Sequence, residues 1–364
     1  MAGGRTGAAG LILAGAVAGP LVGGQVALLR APLGGVLGVP GDVVGYIGAA
    51  AVLLGCATAV FESRWRVGLR GIGVCAVLAG VSMVIAGTVD QKWVFTAAVL
   101  CAGASTGPVL VRGRISAWRE PPALTGWQVA SAAGVASAAA SAAACASTPG
   151  AGLAGAGAAV LLLGLVVIAK PPATQWESGP MRGPRMPWRY PPVYVAVGFV
   201  AGGAVLPALH LLLFRWNVLD RDQALLLLPA AVLAVVAVAI PGPRAESIAP
   251  LLVLASGGSI LVATAPGPVT SAIGIAVVLA AAARALRGLD LVVPHDIRAA
   301  TATLLAVVAG GGIGLVLVSV PGQLIGAGNA LTILAIPTAL AALLPGRLTA
   351  VSAIDAAALE GGTP

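Results

Sequence analysis

PGAGLAGAGAAVLLLGLVVIAK, residues 149–170, runs directly into PPATQWESGPMRGPRMPWRYP, residues 171–191. From Pro149 to Ala169 there is no charged residue. A helix needs about 20 apolar residues to cross the hydrocarbon core of a bilayer, and this run is long enough. The stretch after it is the opposite. Pro171, Pro172, Pro180, Pro184, Pro187 and Pro191 accompany Lys170, Arg182, Arg185 and Arg189. Proline at that density blocks a long helix and favours an extended, semi-rigid tether. An apolar span thus ends in a basic linker near mid-chain.

The composition extends this reading to the rest of the 364 residues. The chain is 59% hydrophobic and 9% charged, with a mean hydropathy of +1.02. Soluble domains carry roughly 25% charged residues. Charge this sparse cannot cover a water-facing surface, so lipid is the solvent along most of the chain. The net charge of +8 belongs to loops between apolar runs and implies no nucleic-acid partner. Cys56, Cys75, Cys101 and Cys145 all fall inside apolar runs. Their spacing fits neither a disulfide framework nor a metal site, and no cofactor is expected. The excess of Arg, Ala and Gly fits a GC-rich bacterial genome, such as an actinobacterium's.

Twelve spans follow from hydropathy and turn signals: 8–29, 42–61, 71–89, 93–111, 124–147 and 149–169, then 192–214, 222–240, 247–265, 268–288, 299–320 and 324–345. Residues 8–29 are too long for the apolar core of a signal peptide. Pro149-Gly150, Pro266-Gly267-Pro268 and Pro321-Gly322 separate spans that would otherwise merge. Charge tests the count. With the N-terminus inside, Arg30, Lys92, Arg215 and Arg221 are the outside basic residues, and the other sixteen of the twenty are inside. That asymmetry is what the positive-inside rule predicts, and a missed span would spoil it. The seven tryptophans lie at span ends or in loops, as an interfacial belt requires. The expected fold is all-α: a polytopic transmembrane bundle with halves at 1–169 and 192–346. A cytoplasmic linker at 170–191 joins them, and 347–364 form a cytoplasmic tail.

Six spans, an inside linker and six more spans resemble the major facilitator superfamily over nearly the whole chain. The loop between the second and third spans, Phe61 to Arg70, reads FESRWRVGLR. The family's pattern there is G-x-x-x-D-R-x-G-R-R/K. Arg66, Gly68 and Arg70 match it, and Phe61, Trp65 and Leu69 depart from it. The family's Asp is missing, and Glu62 stands one turn earlier as its substitute. The resemblance implies that Glu62, Arg66, Gly68 and Arg70 form a gating loop. In the fourth span Gly103 and Gly107 fit the family's small-residue motif, while Val99 replaces its Arg. The fifth span, from Ser131 to Ser141, lacks the Gly-Pro motif of proton-exchanging exporters. A basic inside loop and close helix packing account for the same residues without any transport role.

Ionisable groups at depth are functional candidates. His210 lies five residues before Arg215, about 7.5 Å inside the boundary at 1.5 Å per residue. It reads either as a packing residue or as a proton switch. Gln25 and Asn329 are uncharged polar residues at similar depth, suited to interhelical hydrogen bonds or to lining a cavity. Arg30, Asp42, Asp90 and Arg215 mark an outer rim expected to form ion pairs. Arg284, Arg287, Asp290, His295, Asp296 and Arg298 cluster at the loop between the tenth and eleventh spans. No paired carboxylates, His cluster, nucleophile elbow or phosphate loop appears, so an enzyme is not expected.

The resemblance implies a secondary transporter, with its site between the halves, working by alternating access. Spans this poor in charge favour a hydrophobic or amphipathic small molecule or lipid. The alternative is a transporter-like fold without transport, a membrane subunit or scaffold in cell-envelope assembly with a membrane-protein partner. Either way the expected location is the plasma (inner) membrane, with both termini cytoplasmic.

Overall fold

The computed structural model describes residues 2–65, 68–118, 121–171, 192–200, 208, 215–218, 220–240, 248–290 and 297–343. Regular structure among them is helical. α1 (Ala2–Gly19) passes through a π-helical turn (Pro20–Gly24) into α2 (Gln25–Leu28), and α3 (Arg30–Leu37) continues beyond Leu29. Then come α4 (Gly41–Trp65), α5 (Leu69–Thr88), α6 (Lys92–Ala117), α7 (Pro121–Ala144) and α8 (Pro149–Ala169). The later helices are α9 (Asp220–Ala239), α10 (Ile248–Thr264), α11 (Pro268–Asp290), α12 (Ile297–Ile325) and α13 (Ala327–Ala341). Residues 192–200 are also helical.

Among the described residues, seven helices are long and apolar enough to cross a membrane: Thr6–Leu28, Gly41–Glu62, Leu69–Thr88, Lys92–Ala117, Pro149–Ala169, Arg221–Ala239 and Pro268–Asp290. Ile248–Thr264, Ile297–Gly312 and Gly328–Ala341 are apolar but shorter. The expectation of twelve further requires these three, α7 and 192–214, which lies largely outside the described residues. Leu53, Leu162, Val269, Ile336 and Leu343 are each more than half exposed. Large apolar side chains facing outward on so many helices fit lipid as the surrounding solvent. The protein is membrane-embedded.

Two of the breaks between helices fall elsewhere than the sequence expects. The first apolar helix does not stop before Arg30. After an irregularity at Leu29 it continues to Leu37, where Gly38, at φ +63°, ends it with its N–H on the Gly34 carbonyl. That is a left-handed glycine terminator. The expected turn at Pro321-Gly322 is also displaced. α12 runs through it to Ile325, and Gly326, at φ +87°, makes the break. The turns at Pro149-Gly150 and Pro266-Gly267-Pro268 fall where the sequence puts them.

The chain divides into two compact units. The first is Met1–Pro184 with Leu219–Val232 and His295–Thr301; the second is Arg185–Val218, Leu233–Pro294 and Ala302–Pro364. In the first, glycine sets the packing. α5 carries Gly73, Gly80 and Gly87, and α8 carries Gly150, Gly157 and Gly164, each series at seven-residue spacing. A Cβ on Gly80 would lie 2.5 Å from the Leu161 nitrogen and 2.6 Å from the Gly157 oxygen. One on Gly87 would strike the Gly150 carbonyl, and one on Gly164 would come 2.7 Å from the Val77 nitrogen. Backbones approach this closely only where side chains are missing. The seven-residue period keeps the seam aligned along both helices. Among large side chains, Trp127 fills the groove between α1 and α6, meeting Gly15 and Gly113. Trp118 and Trp127 are buried. These two therefore pack inside protein, correcting their assignment to an interfacial belt.

Candidate functional site

The site starts from a crossing of α4 and α6. Gly103 and Gly107 on α6 meet the carbonyls of Ala51 and Gly55 on α4 so closely that a Cβ at either would overlap them. Thr58, one turn further along α4, donates its hydroxyl to the Ala104 carbonyl at 2.7 Å. The expected small-residue motif is therefore a packing device here. Both helices then continue past their expected ends at 61 and 111, to Trp65 and Ala117. The extension brings Glu62 and Arg112 together. Arg112 Nε donates to Glu62 Oε1 at 2.5 Å, and Nη2 lies 2.5 Å from the same oxygen. The carboxylate is fully buried and the guanidinium nearly so. A guanidinium presents its donors as a planar fork, so this contact fixes direction as well as charge.

A related contact lies within the second unit, where the eighth and tenth expected spans end. Arg284 and Arg287, on the last turns of α11, reach the C-terminus of α9. Arg284 donates to the carbonyls of Ala237 and Ile240, the latter at 3.1 Å. Arg287 donates to Val238 and Ile240, the latter at 2.9 Å. The last carbonyls of a helix lack partners within it and carry partial negative charge. Two cations there satisfy both needs. Beside them Asp290 is buried, and the Tyr194 hydroxyl donates to it at 3.4 Å. In each unit, then, arginine from one expected span holds the end of the span two before it.

The other expected residues are dispersed. Gln25 is fully buried in the first unit, immediately after the π-helical turn. Asn329 is exposed and donates its amide to the Ile325 carbonyl one turn back, at 2.8 Å. Gly68 is extended and precedes α5, and Arg70 is exposed. His210, Arg66, His295 and Asp296 lie outside the described residues. Arg30, Asp42, Asp90 and Arg215 are exposed, and among the described residues none of them forms an ion pair. Water solvates such charges, so little drives them together. Arg215 instead lies over the Trp216 ring at 5.3 Å. A cavity of about 260 Å³ opens at the end of the first unit opposite Glu62, between Leu33, Leu37, Phe95 and Pro149, with Asp90 on its rim.

Sequence reasoning missed Arg112. Hydropathy makes it only a basic loop residue, because the apolar run ends at Val111. The usable signal was Glu62 itself, since a carboxylate at a span end needs a cation at the same depth.

No family model matches the sequence, and neither does any curated protein. Solved structures do match in fold. The human organic anion transporter MFSD10 (TETRAN) superposes with a TM-score of 0.67 at 17% identity, covering 93% of this chain and 97% of that one. The nucleoside transporter NupG gives 0.62 at 15% identity, covering 94% and 99%. The Escherichia coli fucose:proton symporter FucP gives 0.64 at 13% identity, covering 94% and 97%. At such identities the likeness is one of fold, and it extends over nearly the full length of all four chains. The chain has a divergent form of the fold that these three structures share.

Proposed function

We propose that this protein is a secondary transporter that works by alternating access on a hydrophobic or amphipathic small molecule or lipid. The carrying observation is the full-length fold likeness to three transporters. The similar structures are named for transport and not for catalysis, which supports a role without enzymatic chemistry. They are named for an organic anion, nucleosides and fucose, so the substrate class has to rest on this chain's own residues. Its buried charged side chains among the described residues are Glu62, Arg112 and Asp290, all near the expected inner ends of spans. Glu62 and Arg112 neutralise one another. A strongly charged solute would meet few fixed countercharges at depth. The transporter would sit in the inner membrane with both termini cytoplasmic. Halves at 1–169 and 192–346 would be joined by the linker at 170–191. Within this reading Glu62–Arg112 and the Arg284–Arg287 pair brace the inner ends of their own units, so that each moves as a body.

The test is flux in proteoliposomes, with a panel of fluorescent phospholipids, hydrophobic dyes, a nucleoside and a sugar. Uptake of an amphipathic member, saturable and lost on denaturation, is the expected result. Uptake of the sugar or nucleoside alone overturns the substrate class. No uptake of any member, together with a membrane protein that co-purifies stoichiometrically, favours the non-transporting scaffold.

A further inference from the structure

Gln25 has no exposed surface, and neither its Nε2 nor its Oε1 has a hydrogen-bond partner. Its neighbours along the helix belong to apolar clusters. Leu21 packs with Ala79, Ala138 and Val160, while Val26 and Leu29 pack with Met83, Ala142 and Leu153. An amide held among such groups loses its water hydrogen bonds and gains nothing in exchange. A leucine would fit the pattern better.

The backbone around it is equally unusual. On one side lies the π-helical turn Pro20–Gly24, and on the other Leu29 interrupts the helix at φ −97° and ψ 12°. α2 is thus a single four-residue turn between two irregularities. A π-helical turn holds one residue more than the α-helix around it, and such turns gather at functional positions. If the extra residue moves from before α2 to after it, α1 and α3 keep their places. Only the intervening turn rotates, by about 100°, one residue's worth at 3.6 per turn. Gly23 and Gly24 leave room for this. A Cβ on Gly23 would lie 3.9 Å from Val52, and one on Gly24 3.7 Å from Ala138, so neither is locked by contact.

We infer that Gln25–Leu28 is a swivel in the first span, which carries the Gln25 amide between this apolar setting and a hydrogen-bonded one. The unpartnered amide raises the free energy of the conformation described here and so keeps the second within reach. The inference rests on the transporter reading for its purpose, since the swivel would supply a step of the transport cycle. It does not rest on that reading for its detection.

The experiment is hydrogen–deuterium exchange over residues 20–29 and thermal unfolding, on the full chain in lipid nanodiscs. Wild type is compared with Gln25→Leu and Gly24→Ala. Gln25→Leu removes the unpartnered amide and should raise Tm and slow exchange across 20–29 by about tenfold, one decade in the opening equilibrium. Gly24→Ala has steric room, stiffens the turn and should slow exchange in the same segment. A lower Tm for Gln25→Leu would overturn the swivel, because the amide is then satisfied where it stands. So would unchanged exchange in Gly24→Ala. Slowed exchange in a protein that moves no solute would leave the swivel intact and remove only the transport reading.

Discussion

Glu62 and Arg112 stand 50 residues apart in sequence and share one buried contact. Moving two charges out of water is costly, and a buried pair is worth little against an apolar pair of the same shape. Removing one partner is another matter, because the remaining charge stays buried without its counterion. Glu62→Gln and Arg112→Met should each destabilise the protein by about 3–5 kcal/mol. The double variant Glu62→Met/Arg112→Met should recover most of that loss. Thermal unfolding in detergent measures all three, and a double variant as unstable as the sum of the singles would contradict a pairwise role. The sequence exposed one half of this contact. Glu62 was visible as an acid at a span end, near a loop with family-like glycine and arginine. Arg112 was not, because hydropathy places a helix end where charge begins. A long aliphatic stem lets an arginine continue the helix and bury its head against a partner. Gln25 was legible as polar at depth, but nothing local reveals that its amide finds no partner.

Helix pairing was legible in a different way. The glycines of α5 and α8 repeat every seven residues, and that period alone marks a seam. What the period does not say is which helix carries the matching series, since Gly103 and Gly107 offer a competing face that belongs to α4. Contact resolves this, and contact can be tested. Gly80→Ala places a Cβ against the backbone of Gly157 and Leu161, so the helices must separate. The expected cost is about 1–3 kcal/mol, as for other overpacked sites. Gly155→Ala, on α8 away from the seam, meets nothing within 4 Å. Its stability should hold or rise slightly, since alanine favours helix over glycine. Equal losses at the two positions would mean that α5 and α8 do not share this seam. Turns were less legible than seams. Pro321 has the sequence signature of a breaker, yet the helix passes through it and stops at Gly326, where a positive φ is needed. Proline removes one donor and bends a helix, whereas a left-handed glycine ends it, and both look alike as Pro-Gly signals in sequence.

At the scale of the whole molecule, membrane embedding and the helical class follow from composition, because charge this scarce leaves no other solvent. The number of crossings is a finer matter, and it depends on segments whose hydropathy is diluted. α7 is built largely from Ala, Ser and Gly, and α10 is only 17 residues long. Such helices cross a bilayer only with neighbours to cover them, so hydropathy counts them poorly. Charge asymmetry is independent of that weakness, and it makes the topology testable by position. In a variant with Cys56, Cys75, Cys101 and Cys145 replaced by serine, single cysteines are introduced at Gln91, Thr148, Ser178 and Ser352. A membrane-impermeant maleimide added to intact cells should label Gln91→Cys and Thr148→Cys. Ser178→Cys and Ser352→Cys should label only after the membrane is opened. If Thr148 and Ser178 label from the same side, α8 does not cross. If Ser178 and Ser352 label from opposite sides, the second half contains an odd number of crossings. Either result would break the expected alternation that puts sixteen of the twenty basic residues inside, and with it the proposed two halves of six on which alternating access would depend.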